Sequence, residues 1–176
     1  MNPGGLLAPI ERIGRDPRTG GYRRFAWNDA DMELREWFAG EAEARGMAYE
    51  EDGNGNQIAW LGAGHGGGDG EDGADALLLG SHLDSVPDGG AYDGPLGVVS
   101  SFAALDQLRR DGFVPSRPIA VACFADEEGA RFGVACAGSR LAAGTLAPEK
   151  ALALTDVDQV FDRVASTTGK GSAADA

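Results

Sequence analysis

Two short segments carry residues whose types and spacing suit metal-assisted hydrolysis. The first is Gly80 to Gly97, GSHLDSVPDGGAYDGPLG, and the second, about thirty residues on, is Ala125-Asp126-Glu127-Glu128-Gly129. His82, Asp84, Asp93, Glu127 and Glu128 are the side chains that hold divalent ions of borderline hardness and activate a water beside them. An imidazole ligates through one ring nitrogen, and its other nitrogen needs an acceptor to fix tautomer and direction. Asp84, two residues after His82 on an extended segment, is placed to be that acceptor. Asp93 follows Gly89-Gly90 and precedes Gly94, which lets the backbone turn sharply enough to push a carboxylate toward two ions, and a bridging role suits it. Glu127 and Glu128 are adjacent, so near a strand end they point apart, one to ligate and one to act as general base. Ions lower the pKa of such a base while neighbouring carboxylates and burial raise it, and the sequence leaves that balance open.

Taken singly, each of these residues has an ordinary alternative. An isolated H-x-D is most often a surface loop, a Glu pair a solvated helical turn, and an Asp beside Gly a turn former. What joins them is position. Both segments directly follow apolar runs, Ala76 to Leu79 and Ile119 to Ala125, that read as buried strands. The carboxyl ends of strands are where open α/β sheets form their ligand crevices.

Around these strands the organisation alternates. Asn28 or Asp29 caps a helix running to about Arg45, with Leu34, Trp37 and Phe38 on its buried side and Gly46 as its stop. Met47 to Glu51 and Gln57 to Leu61 read as a strand pair around the hairpin signal Asp52-Gly53-Asn54-Gly55. Leu96 to Arg110 carries Val98, Phe102, Leu105 and Leu108 at helical spacing and is closed by Gly112. Ser139 to Ala143 suggests a short helix and Asp156 to Val164 a weaker one. Residues 62–73 are a Gly/Asp-rich loop expected to be poorly ordered, and so is the Ser/Thr/Gly/Ala tail 166–176. The expected fold is an α/β domain, a mixed sheet flanked by helices, over residues 1–165.

Composition narrows the partners. The 176 residues carry 28 acidic against 15 basic side chains, a net charge of −13, which argues against nucleic acid or an anionic membrane surface as a partner. Arg12, Arg15, Arg18, Arg23 and Arg24 cluster near the amino terminus, where pairing with the chain's own carboxylates is the expected explanation. No apolar run approaches a membrane span, and Met1 to Pro9 lack the charged and apolar regions of a secretory leader, so a cytoplasmic location is expected. Cys123 and Cys136 have no zinc-ribbon or disulfide spacing and read as buried free thiols. Arg131, just after the Glu pair, reads either as a substrate contact or as an ordinary structural ion pair.

GSHLDSVPDGGAYDGPLGV, FADEEGARF and GSRLAAG together resemble the allantoate amidohydrolase and N-carbamoyl-L-amino-acid hydrolase group of the aminoacylase and carboxypeptidase type of binuclear metallohydrolases. The resemblance spans about residues 9 to 155. It implies His82 as ligand of one ion, Asp93 as the bridge, Glu128 as ligand of the other, Glu127 as general acid/base and Asp84 as the orienter of His82. It further implies two zinc or manganese ions, a small ureido substrate whose C–N bond is hydrolysed, and a cis peptide after the bridging aspartate, at Asp93-Gly94. Members of that group are more than twice as long, take two more histidine ligands from later sequence, and dimerise through a lid domain, so no dimer is expected of these residues alone. The sequence holds only two histidines, His82 and His65, the latter in the glycine-rich loop. As it stands, the chain is expected to be inactive, either a non-catalytic remnant or one half of an enzyme completed by a second chain.

Overall fold

A computed structural model describes residues 3–61 and 76–156. The expectations for 62–73, for His65, for the tail 166–176 and for nearly all of the weak helix from Asp156 lie outside them. The elements run α1 (Pro3–Leu7), a 3-10 turn (Ala8–Ile10), α2 (Asp29–Ala44), β1 (Ala48–Glu51), β2 (Gln57–Leu61), β3 (Leu77–His82), α3 (Pro95–Arg110), β4 (Ile119–Phe124), α4 (Ala137–Ala142) and α5 (Pro148–Leu152). The four strands form one mixed sheet in the order β1-β2-β4-β3. β1 and β2 are antiparallel, β2 and β4 antiparallel, β3 and β4 parallel. This is the expected α/β architecture of a mixed sheet flanked by helices.

Local chemistry explains the long helices. Asn28 is extended and its side-chain oxygen accepts the Asp31 amide at 2.9 Å, with Asp29 and Asp31 placing negative charge on the first turn of α2. Leu34 and Phe38 are fully buried and Trp37 partly so, and Gly46 at φ 60° ends the run. Replacing Asn28 by Ala leaves the Asp31 amide without its acceptor, so urea denaturation should show a loss of about 1 kcal/mol. α3 starts at Pro95, a proline at the first helical turn where its missing N–H costs nothing, and buries Val98, Phe102 and Leu105. Phe38 and Phe102 meet with ring centroids 5.3 Å apart. Around them Leu6, Ile10, Leu83, Ile119 and Val121 complete the main core.

The hairpin between β1 and β2 forms as its Asp-Gly-Asn-Gly sequence suggests. Asp52 accepts the Asn54 and Asn56 amides at 2.9 and 2.8 Å, and Gly55 sits at φ 83°. β4 is buried almost throughout, as expected of an apolar run. β3 corrects the sequence reading. Among the described residues it is an edge strand of the sheet, with Leu77 42% and Leu78 46% exposed, and it extends past Leu79 to His82. An apolar run marks a strand, but its place in the sheet depends on which neighbours exist to cover it. The short α1 and α5 were not anticipated. Neither is long enough to show a periodic apolar stripe, and both hold through tertiary packing of Leu6 and Ala151.

Candidate metal centre

His82 is the last residue of β3, so it leaves the sheet at a carboxyl end beside the end of β4. Its partners are brought in from two loops, Asp84 and Asp93 from the one between β3 and α3, Glu127 and Glu128 from the one between β4 and α4. The segment after β3 is clamped by the amino-terminal region: Ser85 Oγ accepts the Arg24 amide at 3.0 Å, Arg24 O accepts the Ser85 amide at 2.9 Å, and Tyr22 pairs with Gly89. The chain then turns through Gly94 at φ 82°, where a Cβ would lie 2.6 Å from the His82 ring. That contact explains why glycine follows Asp93. The Asp93-Gly94 peptide is trans, as is every peptide bond among the described residues, contrary to the cis bond expected from the resemblance. Gly94's positive φ supplies the turn instead.

The Ala125–Glu128 segment is held from two sides. Asn56 bolts it to the hairpin, its Oδ1 accepting the Ala125 amide at 3.1 Å while its Nδ2 donates to Gly138 O at 3.0 Å. The start of α4 closes over it, with the amides of Cys136, Ala137 and Gly138 donating to the carbonyls of Glu127, Asp126 and Ala125. Asn56, one residue past the Asp52–Gly55 hairpin signal, is not singled out by the sequence, because nothing local distinguishes an asparagine beside a turn from one that reaches a distant strand end.

His82, Asp93 and Glu128 converge, each offering one ligand atom, all within 4.8 Å of one another. His82 is buried, Asp93 exposed and Glu128 intermediate, so the cluster opens to solvent. His82 Nδ1 lies 3.1 Å from the Asp84 carbonyl oxygen and 3.4 Å from its carboxylate. Both are acceptors, so Nδ1 carries a hydrogen and Nε2 is left facing Asp93 at 4.0 Å and Glu127 at 3.4 Å. A second task for Asp84 was not foreseen. Its buried carboxylate accepts the backbone amides of Glu127 and Glu128 at 3.2 and 3.0 Å, tying the Glu pair to the histidine loop. One imidazole and two carboxylates, with the imidazole's remote nitrogen already engaged, suit zinc or manganese equally.

Other residues singled out in the sequence fall elsewhere. Arg131 pairs with Asp156 at 2.6 Å, donates to Ala26 O at 2.6 Å and stacks near Phe132, a structural role. Arg15, Arg18 and Arg23 pair with Glu11, Asp16 and Asp88, while Arg24 is buried and donates to the carbonyls of Ile10 and Ile13. Cys123 is buried, and burial pushes its thiol well up. Cys136 is not buried as expected but half-exposed, its thiol donating to Glu127 Oε1 at 3.3 Å.

The electrostatics behind the centre are unusual. Burial disfavours the His82 cation, but hydrogen bonding and charge from Asp84, with Glu127, outweigh it and raise the imidazole to about 9. Burial pushes the Asp31 carboxyl to about 6 and that of Asp126 to about 7. Neither Asp126 oxygen has a hydrogen-bond partner among the described residues. All three groups bind protons more tightly folded than unfolded. Their contributions are therefore complete below the unfolded values and are lost as pH rises through about 6, 7 and 9. The metal-free chain should lose on the order of a few kcal/mol between pH 5 and pH 9 in urea titrations. A divalent ion must displace the His82 proton, so zinc affinity should rise by up to about tenfold per pH unit over the upper part of that range. A flat or rising stability profile would show that the acids are not buried as described.

Comparison with known proteins agrees with this geometry. The family model described as "Peptidase family M28" matches residues 65–166. N-carbamoyl-L-amino acid amidohydrolase of Geobacillus stearothermophilus is 38% identical over 143 residues, which are 81% of this chain and 33% of that protein. Ureidoglycolate hydrolase of Arabidopsis thaliana is 37% identical over 157 residues, 88% of this chain and 32% of that protein. The crystal structure of a hydantoinase/carbamoylase family amidase from Burkholderia ambifaria superimposes with a TM-score of 0.83 at 34% identity, covering 98% of this chain and 42% of that one. The chain thus spans about a third of the length of the curated relatives it matches. With a family model matching more than half its residues, and with hydrolytic amidases sharing both its sequence and its sheet, the chain belongs to peptidase family M28.

Proposed function

We propose that residues 1–165 are part of the catalytic domain of a metal-dependent amidohydrolase that cleaves the C–N bond of a small ureido or carbamoyl compound, allantoate or an N-carbamoyl-L-amino acid. The observation that carries this reading is the convergence of His82, Asp93 and Glu128 within 4.8 Å at the carboxyl end of the sheet, with the Glu127 carboxylate 3.4 Å from His82. The names of the Geobacillus and Arabidopsis relatives support the class of bond. His82 and Glu128 would each hold one divalent ion and Asp93 would bridge the two. Such ions supply Lewis acidity toward a carbonyl oxygen and lower the pKa of water.

The chain's own residues do the rest. Asp84 keeps the Nδ1 hydrogen of His82 engaged and so aims Nε2 at the ligand cluster. Through the two amides it accepts, it also holds Glu127 and Glu128 at fixed separation from His82. Glu127, whose side chain is partly exposed, takes a proton from the attacking water and returns it to the departing amine. The same carboxylate thus serves as base and then as acid.

Two protein ligands per ion, counting the shared Asp93 for each, are fewer than the three of an ordinary catalytic zinc site. The isolated 176-residue chain should therefore bind zinc weakly and show no turnover. The test is to titrate the chain with zinc and with manganese by calorimetry. The chain is then joined to the carboxyl-terminal part of the Geobacillus relative and assayed for ammonia release from N-carbamoyl amino acids and from allantoate. Zinc uptake that His82→Ala abolishes, with turnover in the joined protein, is the expected result. Turnover by the isolated chain that Glu127→Gln removes, or zinc binding indifferent to His82, Asp93 and Glu128, overturns the assignment.

A further inference from the structure

We infer that the Cys136 thiol positions the Glu127 carboxylate, fixing the rotamer in which that carboxylate faces the metal cluster. The inference rests on the reading of Glu127 as the acid/base. Cys136 meets Glu127 twice: its amide donates to the Glu127 carbonyl at 2.6 Å and its thiol donates to Oε1 at 3.3 Å. The other carboxylate oxygen, Oε2, lies 3.4 Å from His82 Nε2. The carboxylate is thus held between a thiol on one side and the ligating imidazole on the other. When an ion takes the Nε2 lone pair, the imidazole ceases to restrain Oε2, and the thiol remains as the restraint on Oε1.

The backbone at this corner is shaped to make that contact. Cys136 has φ 59° and ψ 33°, a left-handed conformation that glycine adopts freely and that a side chain resists. Asp126, the residue before Glu127, is left-handed as well at φ 48°. The three amides of Cys136, Ala137 and Gly138 clasp the carbonyls of Glu127, Asp126 and Ala125, and Gly138 is required there because a Cβ would lie 2.2 Å from Asn56 Oδ1. The clasp brings the Cys136 backbone against Glu127. A glycine at 136 would satisfy the same backbone with less strain and would lose only the thiol. Cys136 is half-exposed, and the thiol is harder to ionise than usual, chiefly because of its hydrogen bond to Glu127.

The experiment uses the metal-free 176-residue chain, labelled with carbon-13 and carrying His82→Ala throughout so that the imidazole no longer restrains Oε2. It compares the wild type at position 136 with its variants and reads the Glu127 γ-methylene protons by NMR. In the wild type and in Cys136→Ser, which keeps an O–H donor, the two protons should have distinct shifts and couplings of a single rotamer. In Cys136→Ala and Cys136→Gly the shift difference should fall by at least about half as the side chain averages, while the amide shifts of β3 and β4 stay in place. A merely structural role for Cys136 would give the same result for Ser as for Ala. An ordered Glu127 in Cys136→Ala, or an averaged one in the wild type, overturns the inference. If the alanine variant does not fold, iodoacetamide labelling decides: Glu127→Ala should speed alkylation of Cys136 at pH 8 by roughly fivefold, through a larger thiolate fraction, and an unchanged rate overturns the contact. Neither readout needs metal or turnover, so failure here is distinguishable from failure of the proposed hydrolase, which would appear as absent zinc uptake or ammonia release.

Discussion

Glu127→Gln lowers ammonia release by about a thousandfold or more in the protein joined to a relative's carboxyl-terminal part, with zinc content unchanged. Glutamine keeps the shape of glutamate and its ability to accept from the Cys136 thiol, but it cannot take a proton from water or return one to an amine. Positioned acid–base catalysis is worth roughly 10²–10⁴-fold, and one residue here would serve both halves of the cycle. His82, Asp93 and Glu128 are untouched by the change, so ion binding persists. Metal analysis beside a rate measurement separates the two effects. Equal loss of metal and rate would make Glu127 a ligand rather than a base, and a loss below about tenfold would move the proton-transfer role to another group.

Gly80→Ala should be the most damaging single methyl among the described glycines. Gly80 lies in β3 opposite Ala122 of β4, at φ 148°, and a Cβ there would come 2.0 Å from the Ala122 carbonyl oxygen. That oxygen belongs to the backbone of a strand buried almost throughout, so it cannot swing aside as the end of a flexible side chain would. Either the β3–β4 ladder separates or β3 shifts, and both displace His82 two residues on. A loss above about 4 kcal/mol is expected, enough to leave a domain of ordinary stability mostly unfolded. Urea denaturation and the amide spectrum report it. Gly40→Ala, on α2 with no atom within 4 Å of the added Cβ, serves as the benign control. Near-equal stability of the two variants would show that β3 does not pair with β4 in this register.

The local elements and the chemistry-bearing residues were legible because each has a local cause. Asn28 caps α2 with its own side chain, Val98, Phe102 and Leu105 recur at the helical period, and Asp52 folds its hairpin through amides two and four residues away. His82 and Glu128 stand at or just past strand ends because each follows directly on an apolar run, and that much also follows from order along the chain.

What tertiary structure alone decided are the relations between segments distant in sequence. The parallel pairing of β3 with β4 made β3 an edge and left Leu77 and Leu78 exposed, although their run is as apolar as that of β4. The Asp84 carboxylate was expected to serve His82, two residues away, and it does approach that ring. Its two hydrogen bonds go instead to amides more than forty residues on. Cys136 was expected to be a buried free thiol, and it came to rest on Glu127 because the α4 clasp brings the eight intervening residues back on themselves. The physical reason is common to all three. Periodicity, capping and turn chemistry act through neighbours within a few residues and are written in the order of the chain. Burial, strand position and the partner of a polar atom depend on which surfaces meet once the chain has closed, and many sequences with the same local pattern close differently.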